Sequence, residues 1–390
     1  MPPASPSTAR VINDRLALRL LQDEGPLTAH QLKSLTGLSR PTVADLVERL
    51  QGSGLIAVVG EAGAERRGPN ARVYGIVAER AHLAALDVRM RGLSVVVSDL
   101  LGATLAENAA PIDDQAGTEA AVEQAVALLE RTVRAAGADG LHSVGIGAPG
   151  LIDPHTGELR DSTGLPAWHR LLVAELQRRL PAAVLVDNEV NLAALAEQRQ
   201  GAARGRADFV LFWLGAGVGA AVVLDGRLRR GASGGAGELG FLPVPGTSGL
   251  PSAADCAGGF NELVCSAGVC ELAARHGLSG AGGGAEPDGA AVVERALAEG
   301  RTAFLDALAD RIALGAAAVT AVLDPGCVVL AGEIGHAGGT ALAARVEERV
   351  AALSPLRLAV RPGALGGAGV LRGALLAARD AAQEDLFGRA

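Results

Sequence analysis

One strand-and-turn plan occurs twice in this chain. Residues 81–106 read A-H-L-A-A-L-D-V-R-M-R-G-L-S-V-V-V-S-D-L-L-G-A-T-L-A, a strand, turn, strand, turn and strand. Residues 208–228 read D-F-V-L-F-W-L-G-A-G-V-G-A-A-V-V-L-D-G-R-L, and the plan begins again. Short apolar runs bounded by glycine read as buried strands. Two copies imply an internal duplication, so the body should consist of two lobes of like design. Helical patterns at residues 118–136, 171–180, 191–202, 291–323 (with a break) and 341–353 alternate with strands, which sets the class as α/β. In such folds ligands sit in the cleft between lobes, at carboxyl ends of strands.

The length of 390 residues allows two to three domains, and 49% hydrophobic residues supply a core. Aromatics are few (Phe 6, Trp 2, Tyr 1), so Leu, Val and Ala must fill it. Four cysteines in a chain this long do not make a disulfide framework. No apolar run is long enough to span a bilayer, and M-P-P-A-S-P-S-T-A-R lacks the apolar centre of an export signal. A cytoplasmic chain with no membrane partner is expected. The net charge of −8 is uneven: residues 1–80 carry ten Arg and Lys against eight Asp and Glu, and the rest is acidic. A slightly basic head on an acidic body fits a small DNA-binding module.

Residues 1–11 are expected to be a flexible N-terminus, and residues 12–80 the module. Asn13 or Asp14 can cap a first helix that stops at Gly25. Thr28 and Gln31 form a possible capping box for a second helix ending at Gly37. Ser39 caps a third, with Pro41 tolerated in its first turn. Val43, Leu46, Val47 and Leu50 recur at helical spacing and form its buried face. Helices two and three have helix-turn-helix spacing. Ser39, Arg40, Thr42, Asp45 and Arg49 then face outward, and Arg40 can read guanine while Asp45 can accept from cytosine. Two strands follow, and the loop between them carries Arg66 and Arg67 before Gly68-Pro69-Asn70.

The most informative stretch runs from Val186 to Pro245. V-D-N-E-V-N places Asp187, Asn188, Glu189 and Asn191 where a strand gives way to a helix. Gly215, Gly217 and Gly219 turn one strand into the next, and G-G-A-G-E-L-G holds Glu238. Carboxylates and amides at strand ends suit a polyhydroxylated ligand, because each hydroxyl both donates and accepts. Glycines between strands let backbone N–H groups approach an anion. From about His82 to the end these motifs resemble the ROK family of bacterial sugar kinases and sugar-responsive repressors. The resemblance implies a two-lobed, actin-like (ribonuclease H-like) sugar-kinase fold. Lobe one would span about 81–190 plus a C-terminal helix at about 369–385, and lobe two about 191–368. The module then looks like the winged helix-turn-helix fused to ROK repressors. As sugar contacts the resemblance implies Asn188, Glu189, Glu238 and Glu262, with Gly150 of the turn Gly147-Ala148-Pro149-Gly150 on the lobe-one side.

Three departures bear on which branch this is. Where the resemblance places a Gly-Gly-Thr phosphate loop the chain has Arg89-Met90-Arg91, and Glu333 replaces a glycine on the nucleotide side. The catalytic Asp position holds Glu189, and a displacement near 1 Å can cost on the order of 100-fold in rate. The zinc pattern is gone: Phe241 stands at the histidine, and Ala253, Asp255 and Phe260 at the cysteines. Cys256, Cys265 and Cys270 have no known zinc spacing and read as core thiols. Residues 277–289 are glycine-rich and read as a surface loop. The expectation is therefore a DNA-binding transcriptional regulator without catalytic residues, metal or cofactor. Its partners would be operator DNA, an inverted repeat, and a sugar or sugar-derivative effector. The chain would form a homodimer or homotetramer. The alternatives are an ATP-dependent sugar kinase that also binds DNA and a dimerisation platform without ligand.

Overall fold

The computed structural model describes residues 6–62, 71–113, 115, 117–153, 155–160, 165–252, 257–278 and 287–388. Three helices open the chain: α1 (Pro6–Asp23), α2 (Ala29–Thr36) and α3 (Arg40–Gly52). A small sheet joins them, with β1 (Leu27–Thr28), β2 (Ile56–Ala62) and β3 (Ala71–Ile76) in the order β1-β3-β2. Thr28 and Gln31 do form a reciprocal capping box, and Gly37 closes α2 at φ 72°, a left-handed turn that favours glycine. Ser39 caps α3 by accepting from the Thr42 N–H. Val43, Leu46, Val47 and Leu50 are buried against Leu18, Leu21 and Leu32.

The first helix departs from expectation. It begins at Pro6, before residue 12, and neither Asn13 nor Asp14 caps it. Asp14 lies inside the helix, 1% exposed, and is held by Arg49 of α3. A buried carboxylate is tolerated only when paired, and Arg49 supplies that partner.

The body repeats one sheet. Lobe one has β4 (His82–Arg89), β5 (Gly92–Asp99), β6 (Thr104–Pro111), β7 (Ser143–Ala148) and β8 (Ala183–Asn188), in the order β6-β5-β4-β7-β8. Its helices α4 (Thr118–Ala135) and α5 (Ala167–Arg179) pack on one another, and their apolar faces share a core with the strands. The helix α6 (Glu189–Gln200) follows β8 directly. Lobe two has β9 (Phe209–Leu214), β10 (Val218–Leu224), β11 (Arg227–Arg229), β12 (Cys327–Ala331) and β13 (Ala359–Pro362), in the order β11-β10-β9-β12-β13. In each lobe the first strand pairs antiparallel with the second and parallel with the fourth. The duplication read from the two strand plans is thus a duplication of topology.

Lobe two adds α7 (Gly259–Val264), α8 (Ser266–Arg275), α9 (Gly289–Ala298), α10 (Thr302–Leu323) and α11 (Gly332–Leu353). The break expected within 291–323 falls between α9 and α10. The chain returns to lobe one with α12 (Gly369–Gly388), which lies on β4, β7 and α6. Gly373 makes that contact possible: a Cβ there would stand 1.9 Å from the Leu192 carbonyl oxygen of α6. The other face of α6 buries Val190, Ala193 and Ala194 against Phe209 and Leu211 of lobe two. The two helices therefore lie between the sheets. No helix among the described residues is long and apolar enough to cross a membrane.

Candidate ligand cleft and DNA-facing helix

The cleft is built around the junction of β8 and α6. Strand β8 ends at Asn188, and a helix starts at once because Asn188 supplies the N-cap. Its side-chain oxygen accepts from the Val190 N–H at 2.9 Å. Its Nδ2 donates to the Gly150 carbonyl at 3.0 Å and to Glu189 Oε2 at 2.8 Å. Gly150, at φ 108°, thus meets Asn188 directly, and Asn188 bridges it to Glu189. Asp187 accepts from the Asn188 N–H and from Asn191 Nδ2, each at 2.9 Å. Its second oxygen ion-pairs with Arg230, which follows β11 in lobe two. A cross-lobe pair therefore closes one side of the cleft. The sequence held no signal for this pair, since Arg227, Arg229 and Arg230 look alike there.

Burial pushes the Glu189 carboxyl up to about 8, and the negative charges of Asp87, Glu238 and Glu333 act in the same direction. By surface area Glu189 is only half-buried. Crowding by protein atoms and by three other acids sets the direction of the shift, and the open part of its surface limits its size. Burial also raises Glu238, although its surface area is that of an exposed residue at the cleft mouth. A protonated Glu189 donates a hydrogen bond as well as accepting one, which suits it to a sugar hydroxyl.

The side of the cleft that the resemblance would give to nucleotide holds side chains. Arg89 Nε donates to Asp87 at 2.9 Å, and its Nη2 donates to the Gly367 carbonyl at 3.1 Å. Burial raises the Asp87 carboxyl, and Arg89 opposes that rise. Across the cleft Glu333, in the first turn of α11, lies against the glycine turn: a Cβ on Gly215 would stand 2.3 Å from Glu333 Oε2. A carboxylate over a glycine turn repels the phosphate such turns otherwise receive.

Glu262 is placed differently. Both its oxygens accept from Ser248, from the N–H at 2.9 Å and from the hydroxyl at 2.7 Å, and these bonds lower its carboxyl below the usual range. It pins the segment after Val244 through these two bonds. Phe260 is fully buried and meets Phe212 edge-on at 6.3 Å, so an aromatic contact stands where the resemblance has a metal ligand. Phe241 is partly exposed beside Glu238. Cys265 and Cys327 are buried free thiols, and Cys270 is half-buried. Ala253, Asp255, Cys256 and residues 279–286 lie outside the described residues, as do Arg66 and Arg67.

On the module, Ser39 and Arg40 open α3 on its exposed face, with Thr42 half-buried behind them. Ser39 Oγ and Thr42 Oγ1 are 2.8 Å apart, so part of their hydrogen-bonding capacity is spent on the cap. Arg40 makes no ion pair with the described residues. Arg49 does not share that free outward face. Its Nη2 pairs with buried Asp14 at 2.6 Å, and its Nη1 pairs with Asp45. Helix spacing put Arg49 beside Asp45 on the outward side, but it could not show that α1 would supply a buried anion.

Residues 84–381 match the ROK family and residues 13–67 match the MarR family. The chain belongs to the ROK family. It is similar to the xylose repressor of Caldicellulosiruptor bescii, 25% identical over 259 residues, 66% of this chain and 61% of that protein. It is also similar to the bifunctional enzyme NanE/NanK of Brucella suis, 40% identical over 171 residues, 42% of this chain and 30% of the enzyme. The chain thus spans less than two thirds of either relative's length. Among solved structures, a ROK family transcriptional regulator, described as a homolog of E. coli MLC, superposes with a TM-score of 0.76 at 20% identity. That superposition covers 97% of this chain and 98% of the other, and establishes the two-lobed fold with its winged module.

Proposed function

We propose that this chain is a DNA-binding transcriptional regulator whose ROK body senses a sugar or sugar derivative and adjusts operator affinity. The observation that carries the reading is the filled nucleotide side of the cleft, Arg89 on Asp87 and Glu333 over Gly215, in a chain that also bears a MarR-type winged module. A kinase needs that space for phosphate; a sensor does not. Asn188, Glu189 and Glu238 are the proposed sugar contacts, with Gly150 on the lobe-one wall. Glu262 serves the same site indirectly by holding its loop. Arg40, Ser39 and Thr42 are the proposed DNA contacts on α3, and the operator is an inverted repeat bound by a homodimer. The xylose repressor among the relatives makes xylose the first ligand to try, with other sugars, N-acetylated sugars and sugar phosphates beside it.

A thermal-shift panel of those sugars tests the reading, because a ligand of the native state raises the midpoint. ADP release is followed in parallel with ATP and Mg2+. A midpoint rise without ADP release is the expected result. Sugar-dependent ADP release would make the protein a kinase, and a body that responds to no sugar would be a dimerisation platform. Glu238→Ala should remove the sugar response and leave operator binding intact.

A further inference from the structure

The winged module and the body share one long helix. At 20 residues, α12 is about 30 Å long. Its first half, with Val370 and Gly373, packs on lobe one and α6. Its last turns place Ala378, Ala382, Leu386 and Phe387 in the same apolar core as Ala17, Leu18 and Leu21 of α1. Around that core the seam is open. A cavity of about 430 Å³ lies between Arg15, Arg19, Arg199 and Asp380, and one of about 540 Å³ lies between Asp23, Val59, Leu101 and Arg379. That core also takes in Ala81, Leu83 and Leu100 of lobe one, and the open space beside it leaves room for the packed elements to rock against one another.

The partner of α12 at the seam is α6. That helix begins with Asn188 and Glu189 at the cleft, and its far face is packed on β9 and β10 of lobe two. Its last turn carries Arg199, whose Nη1 and Nη2 donate to both oxygens of Asp380 at 2.9 and 2.5 Å. A fork-to-fork pair fixes orientation as well as distance. At Gly373 the two helices touch backbone to backbone, which leaves no room for sliding there. Relative motion must be rotation about that point, and Arg199, seven residues beyond Leu192, sits about 10 Å along the lever.

We infer that Arg199 and Asp380 are positioning residues that carry a movement of lobe two into the DNA-binding module. When lobe two moves, α6 turns with it, Arg199 displaces Asp380, and the final turns of α12 shift α1. The inference rests on the sugar-sensor reading only for what triggers the movement. The coupling itself can be tested without sugar or DNA.

Hydrogen exchange of the full chain is read on peptides of α1, with Arg230→Gln used to release the cross-lobe pair. The expected result is α1 exchange about threefold faster or more in Arg230→Gln. That response should vanish when Arg199→Gln or Asp380→Asn is added, and return in the swap of Arg199→Asp with Asp380→Arg. A pair that merely holds the fold together would instead speed exchange throughout the protein and lower the thermal midpoint in every background. An α1 response that survives Arg199→Gln overturns the inference, and so does an α1 that ignores Arg230→Gln. Failure of every sugar in the panel would sink the sensor reading alone, since no sugar enters this experiment.

Discussion

Arg89 folds back onto Asp87, with Nε 2.9 Å from its carboxylate, and spans from there to the Gly367 carbonyl. One side chain thereby neutralises the strand-end carboxylate and occupies the approach that a phosphate-binding loop leaves open. The protein should show no midpoint shift with ATP and Mg2+. Arg89→Gly with Met90→Gly should not restore one, because Glu333 still covers Gly215. Adding Glu333→Gly should bring nucleotide binding into measurable range. A shift in the wild type would refute this account of the cleft.

The Glu189 carboxyl, raised to about 8, fixes the sign of a pH effect. In the unfolded chain the group ionises near its ordinary value, so between roughly pH 4.5 and 8 the folded state binds the extra proton. Its contribution to stability is therefore full below that window and is lost as pH rises through it. Glu189→Gln should flatten the slope and stabilise the protein at pH 8 by on the order of 1–2 kcal/mol, less than full linkage because the cleft is open. Denaturant midpoints from pH 5 to 8.5 measure this. A slope unchanged in the variant would assign the effect to Asp87 or Glu238, whose carboxyls burial also raises.

Two arginines on α3 should behave oppositely. Arg40→Ala should weaken operator binding by about 1–3 kcal/mol if Arg40 reads a base, with an unchanged thermal midpoint. Arg49→Ala leaves Asp14 buried without its partner and should destabilise the module by about 1–3 kcal/mol. Binding assays and melts on both variants separate the roles. Equal operator affinity for Arg40→Ala and wild type would remove this helix face from the interface.

Gly373→Ala tests the packing between the lobes. The added methyl meets the Leu192 carbonyl, and overpacking of this kind costs about 1–3 kcal/mol. The melt should fall accordingly. An unshifted midpoint would mean that α6 and α12 separate freely, which would also weaken the lever argument for Arg199.

Much of this protein was legible along the chain. The repeated strand plan gave two lobes, and local rules placed the Thr28–Gln31 box, the Gly37 stop, the Ser39 cap and the break between α9 and α10. Each depends on neighbours within a few residues, so spacing and side-chain chemistry suffice. The motif at residues 187–191 likewise marked the junction of β8 and α6, because a strand end and a helix cap are local events. What tertiary structure decided were the partners. Arg49 turned to Asp14, Arg230 to Asp187, Glu262 to Ser248 and Arg199 to Asp380. A long cationic side chain finds its anion only when packing brings distant segments together, and nothing in the local sequence says which of several arginines will lie nearest. The raised carboxyl of Glu189 has the same origin: three other acids converge on it from both lobes, and burial in their midst is a property of the assembled cleft.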